Sequence, residues 1–121
     1  MHELSIAQSL IDAACEAAAA EPERTRIVRL QLRLGVLAGV EEHALRLAFP
    51  FASEGTRCAG ATLEIERVEG ELHCVACGLA FEAGDPVRFR CPECGGPAKI
   101  LAGDELELSS LELDDGDAAS A

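Results

Sequence analysis

The chain has 121 residues and carries 10 basic against 22 acidic side chains, a formal charge of −12. So acidic a protein lacks the cations that must replace phosphate counterions, and with no Trp or Tyr and four Phe it has no platform for stacking bases, so nucleic acid is excluded as a general partner. Its apolar fraction of 49% supports one core, much of it alanine, so we expect one average domain or a small domain with a metal-stapled lobe.

Met1-His2-Glu3 opens the chain without a basic leader, and Ser5 to Ala20 carries Asp12 and Glu16, so we expect no export signal and a cytoplasmic location. No run of about 18 apolar residues is present, so no membrane-crossing helix is expected. Leu4 to Ala20 reads as a helix, with Leu4, Ala7, Leu10, Ile11, Ala14 and Ala18 on one face. Ser5 and Gln8 fit a capping box, and Glu3 fits a first helical turn equally well. Cys15, on this helix, reads as a small packing residue. Glu21-Pro22-Glu23 ends the helix.

Arg26 to Leu34 alternates as a strand, with Val28, Leu30, Leu32 and Leu34 on one side and Arg29, Gln31 and Arg33 on a wet face. After a turn at Gly35 to Gly39, Glu41 to Ser53 reads as a second helix with Ala44, Leu45, Ala48, Phe51 and Ala52 inward, and with Glu41 and Glu42 at its positive end. Pro50 removes a hydrogen bond there and predicts a kink or an end near Phe49. His43 reads as exposed and Cys58 as packing in a loop.

Thr62 to Val68 reads as a second strand. Leu106 to Leu113 reads as a third, its parity slipping at Ser109-Ser110 as at a bulge. Asp114 to Ala121 is acidic and reads as a solvated, disordered end. The fold class expected is α+β: a small three-stranded sheet packed with two helices, plus an inserted zinc-ribbon-like lobe. The base domain is then discontinuous, residues 1–69 and 104–121, and the lobe is residues 70–103.

The lobe carries the strongest chemical signal. Cys74-Val-Ala-Cys77 and Cys91-Pro-Glu-Cys94 stand 13 residues apart, each pair followed by a glycine, Gly78 or Gly95. A two-residue gap lets one tight turn aim two sulfurs at one ion, and four thiolates suit tetrahedral zinc. Glycine permits the positive φ of such turns and leaves N–H groups to face the sulfurs. Apart from Leu79, Phe81, Val87, Phe89 and Ile100 the lobe has little to bury, so a staple is needed, and four-thiolate binding supplies on the order of 10–16 kcal/mol of folding free energy. A closed shell of four thiolates is structural, with no open position for catalysis. His73 reads as a surface residue rather than a fifth ligand. The cysteine turns also resemble a rubredoxin iron site, but the gap is short and the aromatic core of those proteins is missing.

Methionine before a bulky His is normally retained. The Met1 amine, the His2 backbone nitrogen and a His2 ring nitrogen can then close two fused rings around one ion, with Glu3 as a fourth donor, which suits Ni(II) or Cu(II). On spacing alone a frayed polar terminus is the plainer reading. The adjoining helix, which would hold the donors, and the separate metal lobe favour the chelating one.

Met1-His2-Glu3-Leu4-Ser5 opening a helix, Gly35-Val-Leu-Ala-Gly-Val40, Ala44-Leu45-Arg46-Leu47-Ala48-Phe49, Leu63-Glu64-Ile65 and the two cysteine pairs together resemble the HypA/HybF family, nickel-incorporation proteins of [NiFe]-hydrogenase maturation, across nearly the whole chain. The resemblance implies a metallochaperone rather than an enzyme. It implies His2 as principal nickel ligand with Glu3 supporting it, and Cys74, Cys77, Cys91 and Cys94 on zinc. It further implies two partners, a nickel-binding GTPase and the hydrogenase large-subunit precursor, with urease served by some relatives. We expect a monomer or weak homodimer, with no membrane partner. Some relatives carry His just after a cysteine pair, where this chain has Gly78 and Gly95, so exchange of Cys for His at zinc is not expected here. The competing classes are a zinc-ribbon protein-binding adaptor without a nickel role, a rubredoxin-like electron carrier, and a hydrolase. The last lacks a carboxylate pair, an activated nucleophile and an open zinc shell.

Overall fold

A computed structural model of the chain describes residues 2–84 and 86–114, the side chain of His2 excepted. The elements run α1 (His2–Ala17), β1 (Arg26–Gly35), α2 (Glu42–Ser53), β2 (Thr62–Val68), β3 (Glu71–Cys74), β4 (Ala80–Glu82), β5 (Ala98–Ala102) and β6 (Leu106–Asp114). They form two three-stranded sheets, ordered β2-β1-β6 and β4-β3-β5. This is the expected α+β architecture, two helices with one small sheet from the base and a second built by the cysteine segment. No described helix is long and apolar enough to cross a membrane. The chain divides into two compact units, one from the described residues of 1–32, 40–65 and 108 onward, the other from 33–39 and 66–107. The boundaries fall inside β1, β2 and β6, so the ends of those strands group with the cysteine segment.

In the first unit, α1 packs against α2. Ala7, Leu10, Ile11 and Ala14 of α1 and Ala18 just beyond it are buried, with Ile27, Leu30 and Leu32 of β1, Leu45 and Phe49 of α2, Leu63 of β2, and Cys58. The helical stripe was legible except at its start, where Leu4 is exposed. The helix begins at His2, so Glu3 lies in its first turn and the Ser5–Gln8 box does not form. It ends at Ala17, short of Ala20. The segment that follows is held by Arg57, whose guanidinium donates to the carbonyls of Pro22 at 2.9 Å, Glu21 at 3.1 Å and Thr25 at 3.3 Å. The Pro22 carbonyl also accepts the Thr25 N–H at 2.9 Å.

Two inward assignments are corrected. In β1, Ile27 is buried and Val28 only half-buried, so strict alternation starts at Leu30. In α2 the buried residues are Leu45, Phe49 and Ser53, an i, i+4, i+8 row, while Phe51 points to solvent at 73% exposure. Pro50 does not end the helix, which runs through it to Ser53. An interior proline costs about 3 kcal/mol. Burial of Leu45 and Phe49 contributes roughly 1.5–3 kcal/mol each. Ser53 Oγ also donates to the Pro50 carbonyl at 3.1 Å, so the last turn is kept.

The wet face of the β2-β1-β6 sheet is a ladder of cross-strand pairs. Arg29 bonds Glu64 and lies 3.0 Å from Glu112. Ser109 Oγ donates to the Gln31 carbonyl at 3.0 Å and Ser110 Oγ to Gln31 Oε1 at 2.9 Å. On β6, Leu108 and Leu111 are both half-buried, which is the slip in parity seen in the sequence. These pairs are about half exposed and add little to stability individually.

In the second unit, Leu72 of β3 pairs in register with Phe81 of β4 and Ile100 of β5. Among the described residues there, the buried side chains are Leu34, Leu72, Ala83, Cys74 and Cys91, with Gly35, Gly70 and Gly103 buried as backbone. Of the five apolar residues expected to fill the lobe, Leu79, Val87, Phe89 and Ile100 are exposed and Phe81 is half-buried. Three backbone segments cross in this unit with no room for side chains. A Cβ on Gly35 would lie 2.0 Å from the Gly103 carbonyl oxygen, and one on Gly103, at φ +105, would lie 2.5 Å from Gly70 Cα. Leu37 N–H donates to the Gly103 carbonyl at 2.6 Å, and Gly35 N–H to the Glu105 carbonyl at 2.8 Å.

Phe49 and Phe51, two residues apart on α2, should respond oppositely to truncation. Phe49→Ala is expected to cost about 3–5 kcal/mol, and Phe51→Ala less than about 0.5 kcal/mol. Chemical denaturation of the two variants beside wild type measures both.

Candidate metal centres

The two cysteine turns are built alike. The N–H of Gly78 donates to the Cys74 carbonyl at 3.0 Å and that of Gly95 to the Cys91 carbonyl at 2.8 Å, closing each turn. Both glycines take positive φ, 80° and 73°, as their position after the pair predicts. Within each turn a backbone N–H faces the first sulfur, Cys77 N to Cys74 Sγ at 3.3 Å and Glu93 N to Cys91 Sγ at 3.4 Å. The first cysteine of each pair is buried and the second exposed.

The turns converge. Cys74 Sγ lies 3.5 Å from Cys94 Sγ and Cys77 Sγ 3.6 Å from Cys91 Sγ, and all four sulfurs lie within 4.8 Å of one another. Four sulfurs at a zinc–sulfur distance of about 2.3 Å stand about 3.8 Å apart at tetrahedral corners. The donor set and its spacing therefore fit a tetrahedral four-thiolate ion.

The electrostatics point the same way. Donation from the Cys77 amide, helped by the Cys77 and Cys94 thiols, brings the Cys74 thiol down to about 6. The Leu79 amide favours the Cys77 thiolate, but the neighbouring Cys74 and Cys91 thiols outweigh it and push Cys77 up to about 12. Cys94 is likewise raised, the Gly96 amide being outweighed by Cys74 and by burial. One sulfur ionises easily and its neighbours then resist. A dication removes that resistance, because like charges repel only until a positive ion stands among them.

At the other end of the chain, α1 starts at His2. Met1 and the His2 side chain lie outside the described residues. Glu3 is described: one of its carboxylate oxygens accepts the Glu41 N–H at 3.0 Å. Glu41 is the N-cap of α2, its own carboxylate accepting from His43 N at 2.9 Å and Ala44 N at 3.0 Å. It therefore stands before the helix, not inside it. The Glu3 carboxyl is held below the usual carboxylate range, first by this Glu41 amide and then by its own backbone. The starts of the two helices are thus joined by one carboxylate. Sequence reasoning named Glu3 but missed Glu41 as its anchor. The only signal available was the cap pattern of an acid just ahead of an apolar helical stripe.

The remaining candidates fall as follows. His43 is exposed, as expected, and His73 is half-buried in β3. Cys58 is buried and Cys15 half-buried, both outside the four-sulfur cluster.

With this geometry in view, residues 1–113 match the family model described as hydrogenase/urease nickel incorporation, metallochaperone, HypA. A hydrogenase maturation factor HypA of Roseiflexus sp. (strain RS-1) is 47% identical over 116 residues, covering 95% of this chain and 94% of that protein. The one from Chloroflexus aggregans is 47% identical over 113 residues, covering 93% and 98%. Among solved structures, the solution structure of the Ni metallochaperone HypA from Helicobacter pylori superposes with a TM-score of 0.63 at 28% identity, covering 91% of this chain and 95% of that one. A second HypA solution structure gives a TM-score of 0.65 at 28% identity, covering 95% and 98%. The chain belongs to the HypA family of hydrogenase/urease nickel-incorporation proteins, which are metallochaperones and not enzymes.

Proposed function

We propose that this chain binds Ni(II) through the Met1 amine, His2 and Glu3 and delivers it to the [NiFe]-hydrogenase large-subunit precursor in the cytoplasm, working with a nickel-binding GTPase, as a monomer or weak homodimer. The observation that carries the nickel site is the Glu3 carboxylate on the Glu41 amide, which ties the turn following His2 to the start of α2. A tethered first turn holds donors that would be dispersed on a frayed end, and so lowers the ordering cost of binding. Glu3 supports the site by this tether. A site with few protein donors leaves positions through which an incoming ligand attaches before the old ones leave. That is what a carrier of a metal cargo needs.

Cys74, Cys77, Cys91 and Cys94 hold zinc in this proposal. The spacing and the donor set support it, and the ion supplies the positive charge that lets all four thiols ionise together. The division of labour is between residues 1–69 with 104–121, which bind nickel, and residues 70–103, which bind zinc.

Nickel titration of the untagged protein tests the terminal site. His2→Ala, or one residue added before Met1, should weaken nickel binding at least roughly tenfold, since loss of even an outer-shell partner costs about that much. Zinc content should stay at about one per chain in both. Unchanged nickel affinity in both variants would sink the terminal site. Zinc removal by a chelator gives the converse. Amide protection should collapse for residues 71–102 and persist for Leu10, Leu30 and Leu45 in the first unit.

The Glu3 tether has a pH signature. Its folded-state pKa is depressed, so the stabilisation is complete above the ordinary Glu value of about 4.3 and disappears as pH falls through the lowered value. The Glu41 amide resonance should therefore shift in that acid range in the nickel-free protein, and Glu3→Gln should abolish the shift. A Glu41 amide indifferent to both would disprove the tether.

A further inference from the structure

The sheet β2-β1-β6 has two outer strands, and their edges differ. At β2 the Arg46 guanidinium reaches over from α2 and donates to the Leu63 carbonyl at 3.0 Å. Beyond β6 no further strand lies among the described residues. The part of β6 that belongs to the first unit is residues 108–114. None of it is buried: Leu108, Leu111 and Asp114 are half-buried and the rest exposed. A strand edge presents N–H and C=O groups ready to pair with another chain, and proteins usually blunt it with lysine, proline or a very short strand. This stretch contains no proline and no basic residue. Its charges, Glu112 and Asp114, are of one sign.

On the wet face the charges alternate across the sheet. Glu64 stands on β2, Arg29 on β1 and Glu112 on β6, with Arg29 bonded to Glu64 and 3.0 Å from Glu112. One guanidinium serves two carboxylates, so this row keeps a net negative charge. Arg29, Gln31, Glu64, Ser110, Leu111 and Glu112 line an open hollow of about 370 Å³ beside it.

We propose that the outer edge of β6, at residues 108–114, docks an extended, lysine- or arginine-rich segment of a partner protein, which joins the sheet as a fourth strand. In such an addition main-chain hydrogen bonds give affinity and alternate side chains give specificity. A side chain opposite Glu112 on the added strand stands about 4.5–5.5 Å away, Cβ to Cβ. A lysine or arginine there extends the row of carboxylate, guanidinium and carboxylate by one more cation, with the hollow at its side. The same acidity disfavours a second copy of this chain, because pairing β6 with β6 joins two edges of like charge. The formal charge of −12 also steers basic segments toward the protein and acidic ones away. Neither metal site takes part.

The test is an NMR titration of the full chain with a short end-blocked peptide of alternating lysine and valine. Amide resonances of residues 108–114 should shift while those of Thr62–Val68 stay in place. Added salt should weaken the binding, and Glu112→Gln should weaken it about two- to fivefold, the scale of an exposed ion pair. The same peptide N-methylated throughout keeps its charge, loses every main-chain donor and should not bind. Nor should an alternating glutamate–valine peptide. The proposal is overturned if residues 108–114 do not respond, if affinity is indifferent to Glu112→Gln, or if either control peptide binds as well as the first. Dimerisation of the free protein that protects those same amides would overturn it too, since the edge would then belong to a second copy.

Discussion

The second unit depends on four sulfur atoms. Hydrophobic burial cannot hold it, since among the described residues Leu72 and Leu34 are its only large buried apolar side chains and Val87, Phe89 and Ile100 face solvent. Its strands are three to five residues long where the cysteine segment supplies them. Strands so short are marginal by themselves. The thiols add a penalty of their own, because one ionises and leaves its neighbours reluctant to follow. A single dication held among the four sulfurs would reverse both deficits, ending the repulsion and crosslinking two turns, and would make folding of this unit and occupation of the cluster one equilibrium.

The first unit has the opposite character. It is held by apolar contact between two helices and a sheet, and it was legible because burial there follows the periods of its elements. Ala7, Leu10, Ile11 and Ala14 recur at helical steps, and Leu30 and Leu32 at strand steps. The errors arose where two periods compete. Ile27 takes the place expected for Val28 because the strand enters from a turn gripped by Arg57, before alternation has set in. Phe49 goes in and Phe51 out because the Leu45–Phe49–Ser53 row continues through Pro50. A rule that stops a helix at proline cannot weigh that burial.

At the candidate metal sites, legibility follows separation along the chain. The cysteine turns declare themselves because each is made within five residues, glycine included. Their convergence follows from the chemistry of the donors. The Glu3–Glu41 contact joins residues 38 apart, and no local pattern specifies it. The strands β3, β4 and β5 went unrecognised because, at three to five residues, they lie at or below the short end of the span over which a period of two can be read.

The crossing of Gly35, Gly70 and Gly103 has a consequence for engineering. The segment from Glu71 to Ala102 leaves and returns between Gly70 and Gly103, which pass each other in near contact. Those two positions are natural splice points. A different metal-binding ribbon could be inserted there as a cassette without rebuilding its surroundings, provided the two glycines and Gly35 stay in place. Moving a splice point one residue outward would replace a glycine and leave a side chain where the backbones admit none. The cassette could then fold around its own ion and still be unable to seat.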